Sequence, residues 1–263
     1  MSLTGRIAIT LCALLCLPLP AQATPCTAAS GERRVALLEL YTSEGCSSCP
    51  PADRWVSELP GRGLAAESVV VLGFHVDYWD YIGWPDPYAQ HRFSERQRHA
   101  NLRNGVRFVY TPQLMLDGKD YRRGFLRDDI VAAVAAINQR RPGARLGLTL
   151  VPGSAEVEAR AEVAMVDPDT SVAADIYLAL VENRLGSAVT AGENRGRRLA
   201  HDYVVRELAG PFPAHQTPPP AHRFKLAPNW KIDDLSIAVF AQMRESGSIL
   251  QALALPYCQE DKK

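Results

Sequence analysis

Residues 35–55 read VALLELYTSEGCSSCPPADRW, and this stretch decides the fold because it joins a strand to a helix through two cysteines. Val35, Leu37, Glu39 and Tyr41 alternate with Ala36, Leu38 and Leu40, so an extended segment here is apolar on both faces apart from Glu39, as a strand covered on each side requires. "TSEG" reads as a turn. Beyond Cys49, residues Ala52, Trp55, Val56 and Leu59 recur at helical spacing, and Pro60-Gly61 ends the run. Pro50 and Pro51 suit the opening turn of a helix, whose first N–H groups have no internal acceptor. Cys46 is expected in the first exposed turn of that helix, where unpaired N–H groups favour a thiolate, with Cys49 one turn further in and more buried. No second cysteine pair or spaced histidine cluster completes the four ligands of a zinc site, so no metal ligand set is assigned. The residues alone leave three roles open for the pair: thiol exchange, a permanently closed structural disulfide, or capture of a soft metal such as Cu(I).

Outward from this junction, Val69 to Val76 reads as a buried parallel strand broken only by Gly73 and His75. His75 and Asp77, two apart, share a side of an extended segment, which makes them a candidate proton acceptor and its orienter. Tyr78, Trp79, Tyr81 and Trp84 follow as an aromatic rim with room for an extended polypeptide. Residues 88–104 form the most basic stretch and are expected as a solvated helix. Next, QLMLDG turns at Asp117-Gly118 and returns through Tyr121, a hairpin signal, with Thr111-Pro112 directly before it. Residues 127–139 form an amphipathic helix: Asp128 and Asp129 favour its start, and Ile130, Val131, Val134 and Ile137 supply a core face.

The ends carry their own signals. Arg6, the apolar run Ile7–Leu19 and the small residues Ala21 and Ala23 read as a cleaved leader over residues 1–23, too short for a membrane span. Export would leave Cys26, Cys46, Cys49 and Cys258 in a disulfide-permissive compartment, periplasmic or extracellular. The preferred pairing is Cys46 with Cys49 and Cys26 with Cys258, the latter a structural tie between the termini. Lys plus Arg equals Asp plus Glu at 29 each in 263 residues, so net charge gives no reason to expect nucleic acid as a partner. From residue 143 onward short alternating segments separated by Gly, Pro, Asp and Asn read as an antiparallel sandwich. His201-Asp202 lies among them as a structural polar pair, with no nucleophile elbow to accompany it.

The order strand, C-x-x-C, helix, strand, helix, Thr-Pro, hairpin, helix resembles the thioredoxin fold. More closely, ELYTSEGCSSCPPAD, FHVDYWDYIGW, YTPQLMLDG and ENRGRRLAHDYVVREL resemble the DUF1223 family of exported bacterial proteins, over essentially the whole chain after the leader. Ahead of the mostly β, sandwich-like C-terminal domain that the strand pattern gives for residues 143–263, the resemblance implies an α/β thioredoxin-like N-terminal domain, residues 24–142. It further implies Cys46 as nucleophile, Cys49 as resolving thiol, and a cis Thr111-Pro112 bond facing them. Two positions depart from the thioredoxin pattern: Gly45 replaces the aromatic residue before the first cysteine, and Leu40 stands where thioredoxins bury an acid, with Glu39 aimed at the other face.

These readings converge on an exported thiol–disulfide oxidoreductase acting on protein or peptide disulfides. Ser47 and Ser48 would donate hydrogen bonds toward sulfur, and Glu44, His75 or water would move protons. No cofactor and no membrane span after processing are expected. The competing reading is a non-catalytic secreted interaction or envelope protein with a structural or sensory disulfide.

Overall fold

The computed structural model describes residues 25–258; the expected leader, residues 1–23, lies outside the described residues. Strand β1 (Cys26–Ala29) precedes β2 (Ala36–Thr42), α1 (Pro50–Ser57), β3 (Val69–His75), α2 (His91–Arg103), β4 (Gln113–Leu116), β5 (Lys119–Asp120) and α3 (Ile130–Asn138). Strands only, with short helical turns, follow: β6 (Ala144–Pro152), β7 (Glu156–Met165), β8 (Ala174–Glu182), β9 (Leu185–Ala188), β10 (Arg198–His201), β11 (Val204–Pro213), β12 (Ala221–Lys225), β13 (Leu235–Met243) and β14 (Ile249–Pro256). The molecule is therefore mixed α/β in its first half and β-rich in its second.

Strand β2 is buried along its whole length because each face meets a different core. Ala36, Leu38 and Leu40 pack with α1 and α3 through Ala52, Trp55, Val56, Ile130 and Val134. Val35, Leu37 and Tyr41 pack with Phe93 of α2 and with residues of β8, β11, β13 and β14. The alternation read from the sequence thus sorts the strand between two cores. In α3 it fails at one position, since Val131 is 49% exposed while Ile130, Val134 and Ile137 are buried. The hairpin forms as expected: Asp117 and Gly118 both take positive φ, at 56° and 79°, as a tight two-residue turn demands.

The boundary near residue 142 separates chain segments but not sheets. One eight-stranded sheet runs in the order β14, β13, β8, β11, β3, β2, β4, β5 and so contains strands from both halves. Its seam is narrow: Val204 of β11 pairs with Gly73 of β3 in parallel, and the Gly73 N–H donates to the Tyr203 carbonyl at 2.7 Å. A Cβ on residue 73 would sit 3.2 Å from that carbonyl oxygen, so glycine permits the close approach. On one face of the second-half strands, a four-stranded sheet ordered β1, β6, β7, β12 closes a third core, with Leu148, Leu150 and Phe224 meeting Leu178, Leu180 and Val239. No helix among the described residues is long and apolar enough to cross a membrane.

Helix α2 is not the solvated element its arginines suggest. The Arg96 side chain is only 10% exposed and donates from Nε to Glu39 at 2.7 Å. Its guanidinium lies over the rings of Phe74, Tyr177 and Phe240 at 5.0–5.6 Å. Through Tyr177 of β8 and Phe240 of β13, Arg96 joins second-half strands to β2, and Glu39 lies on the face away from α1.

Candidate functional site

The loop after β2 carries the thiols. The Ser43 hydroxyl accepts from the Gly45 N–H at 3.0 Å, and the Cys46 N–H donates to the Ser43 carbonyl at 3.1 Å. Cys49 then caps α1, its carbonyl accepting from the N–H groups of Ala52 and Asp53. Cys46 and Cys49 form a disulfide, as do Cys26 and Cys258. The helix begins at Pro50, so Cys46 occupies the turn before it rather than the exposed first helical turn expected from the sequence. Nor is it exposed: Cys46 and Cys49 are 1% and 0% accessible, although Ser47 and Ser48 between them face solvent. The Ser48 hydroxyl lies 3.3 Å from the Cys46 sulfur, the place expected of it. Ser47 instead turns its N–H to Glu193.

The cover over Cys46 comes from the tip between β9 and β10. The Asn194 side-chain amide donates to the Glu44 carbonyl at 2.8 Å and to the Cys46 carbonyl at 3.0 Å. The Glu193 carboxylate accepts the Ser47 N–H at 3.0 Å, and hydrogen bonding to Ser47 holds its carboxyl below the ordinary range. Across the loop, Trp79 approaches so closely that a Cβ on Gly45 would stand 3.0 Å from the tryptophan Cβ. The Trp79 indole N–H donates to the Thr111 hydroxyl at 2.7 Å. The same side chain therefore links the thiol loop to Thr111-Pro112, whose peptide bond is cis.

Behind the thiols lies a buried ionisable cluster drawn from five segments. Glu44 accepts from the Trp84 indole at 2.8 Å and meets His201 Nε2 of β10 at 3.0 Å. The Glu44 N–H donates to Asp86 at 2.8 Å, and the same Asp86 oxygen meets His75 Nδ1 at 2.7 Å. Asp53, four residues beyond Cys49 on α1, stands 4.0 Å from His201 Nδ1, a buried nitrogen with no hydrogen-bond partner. The two imidazoles cross edge-to-face at 4.9 Å.

Burial pushes the Asp53 carboxyl up, against the pull of both histidines. Burial alone would lower His75, but the Asp86 carboxylate beside it outweighs that and raises it. Burial likewise opposes the charge on Asp86, and His75 with the backbone N–H groups of Glu44 and Tyr88 wins, holding it low.

Several expected partnerships are replaced. His75 does not pair with Asp77: β3 ends at His75, and the chain then enters a short helical turn that carries Asp77 outward, where it meets His91 and the Ser94 hydroxyl. His201 and Asp202 also diverge. His201 points to Glu44, while Asp202 accepts the Arg184 N–H. Asp53, Asp86, Glu193 and Asn194 join the site without a motif that marks them, and Trp79, expected in an aromatic rim, serves instead as a tie between the thiol loop and Thr111. The helical spacing of Cys49 and Asp53 was a usable local signal for Asp53. Asp86 and Asn194 have none: Asp86 reaches His75 and Glu44, 11 and 42 residues back, through an irregular segment without periodicity, and the partners of Asn194 lie about 150 residues away.

Two solved structures share this architecture. A protein of Agrobacterium tumefaciens, 24% identical, superimposes with a TM-score of 0.62, covering 89% of this chain and 99% of its own. HBP35 of Porphyromonas gingivalis, 14% identical, gives 0.65 over 89% of this chain and 79% of its own. At these identities the likeness shows the fold. No curated protein matches the chain. The model of a family described as "Protein of unknown function (DUF1223)" matches residues 37–242, and the chain belongs to that family.

Proposed function

We propose that this protein is an exported thiol–disulfide oxidoreductase acting on protein or peptide disulfides, with a thioredoxin-like first half and a sandwich-like second half. The observation that carries the reading is the Cys46–Cys49 disulfide at a strand-to-helix junction, tied through Trp79 to the cis Thr111-Pro112 bond. Two closed disulfides suit an oxidising compartment, which supports a periplasmic or secreted location.

In the reduced protein the Cys46 thiolate attacks a client disulfide, forming a mixed disulfide and releasing one client thiolate. Cys49 gives up its proton and attacks the Cys46 sulfur, releasing the second client thiolate and closing the Cys46–Cys49 bond. Two electrons pass to the client, whose thiolates take up protons; run backward, the sequence oxidises a dithiol. Asp53 shares the N-terminal turn of α1 with Cys49, and its raised carboxyl, backed by His201 and Glu44, is the group we assign to receive the Cys49 proton. The cycle calls for no cofactor. Access to Cys46 requires the hydrogen bonds that Asn194 donates and Glu193 accepts to part.

Cys49→Ala should accumulate Cys46-linked clients, resolved by non-reducing electrophoresis and released by reductant. Absence of any mixed disulfide, with Cys46→Ser retaining full stability and biological function, would remove the reading. The burial of both sulfurs favours the second reading, a structural or sensory disulfide in an interaction protein, and that outcome would select it.

A further inference from the structure

Building on the exchange reading, we infer that a groove between the second half of α2 and residues 106–109 docks an extended acidic segment of the client polypeptide, anchored by an apolar side chain. The groove has a volume of about 480 Å³ and is lined by Leu102, Val106, Phe108 and Val109, with Arg98 and Arg107 beside them. Leu102 is 68% exposed and Phe108 54%, so its apolar surface is open to a partner. It is also preformed. The Val106 N–H donates to the Asn101 carbonyl at 2.9 Å. Asn101 and Gln97 donate to the Phe108 and Tyr110 carbonyls, each at 2.8 Å. Binding would therefore order little of this protein's own chain.

Charge selects the occupant. Residues 88–127 hold nine Lys or Arg against three Asp or Glu, in a chain that is neutral overall. Arg98 is engaged by Glu95. Arg107 and Arg122 form no ion pair among the described residues; Arg122 lies over the rings of Phe108 and Tyr110 at 6.0 and 5.7 Å. Carboxylates flanking an apolar residue match Arg107 in the groove wall and Arg122 over Phe108, whereas a phosphate backbone would leave the apolar lining uncovered. The loop continues through Tyr110 to Thr111-Pro112, which Trp79 ties to Gly45, so a segment laid along it leads to the thiols.

The test is fluorescence anisotropy with a labelled, cysteine-free ten-residue peptide of alternating Glu and Ser around a central Leu. Controls are its Lys-for-Glu counterpart and a single-stranded oligonucleotide of equal charge. The acidic peptide should bind at least about tenfold tighter than either control, and Arg107→Glu with Arg122→Glu, or Phe108→Ala alone, should weaken it about tenfold. Equal affinity for the oligonucleotide, or no change in the variants at unchanged melting temperature, overturns the inference. Because the probe carries no sulfur, Cys46→Ser should bind it as the wild type does. Binding that persists while a disulfide form of the peptide never couples to the Cys49→Ala protein would leave the groove standing and reject the exchange reading.

Discussion

His75 and Asp86 form a buried pair whose stabilisation depends on pH in both directions. His75 is raised above its ordinary 6.5, so its contribution is complete below that pH and is lost as pH rises through the folded value. Asp86 is held below its ordinary 3.8, so its contribution is complete above that pH and is lost as pH falls. The pair should stabilise most between these two ordinary values. Asp86→Asn should therefore cost more stability at pH 5.5 than at pH 8.5, measured by urea unfolding at both; an equal cost would show that the pair is not ionised in the native state.

Arg96 and Glu39 give a second, sharper case. Arg96→Met leaves the Glu39 carboxylate buried without its partner and should destabilise by about 3–5 kcal/mol. Adding Glu39→Gln should recover part of the loss, because the remaining group is then neutral; failure to recover would mean that stacking on Phe74, Tyr177 and Phe240 carries the effect. Neither pairing could be read from the sequence. Local pattern assigns a residue to a face, and the partner on that face arrives from a distant segment, as His201 does at Glu44 and Arg96 at Glu39.

At the scale of elements the sequence was more informative, because strands and helices are written in neighbouring residues. The alternation over residues 35–41, the helical spacing after Cys49 and the Asp117-Gly118 turn each fix their element through local sterics and burial. The β9–β10 tip shows in the sequence only as the polar run GENRGRR at 192–198. Its importance comes from where it lands, with Asn194 fully buried against the Glu44 and Cys46 carbonyls. Asn194→Ala removes the donor from both. In the reduced protein this should raise the rate at which iodoacetamide alkylates Cys46 by roughly tenfold, the equivalent of about 1.4 kcal/mol in the opening equilibrium. An unchanged rate would show that Cys46 is shielded by something other than this tip, with Trp79 the next contact to vary.

The whole molecule is built around a sheet that ignores the compositional break near residue 142. Composition changes there because α-helices stop covering the strands and a second sheet takes over. That change is visible in sequence, whereas the one-register seam between Gly73 and Val204 is not. The Cys26–Cys258 bond closes the architecture. Cys26 lies on β1, at the edge of the four-stranded sheet, and Cys258 follows β14, at the edge of the eight-stranded one, so the bond joins the two layers as well as the two ends. With the cysteines 232 positions apart in the sequence, opening it releases a very long loop in the unfolded chain. Replacing both by serine should lower unfolding free energy by about 2–5 kcal/mol and steepen the denaturant slope, because the unfolded chain loses a crosslink and exposes more surface. The Cys46–Cys49 pair should keep its reduction potential in that variant, because the thiol loop is held by Asn194, Glu193 and Trp79 rather than by the termini. A shifted potential would mean that closure of the two layers sets the geometry of the thiols, and the structural and exchange roles of the two disulfides would then have to be treated as coupled.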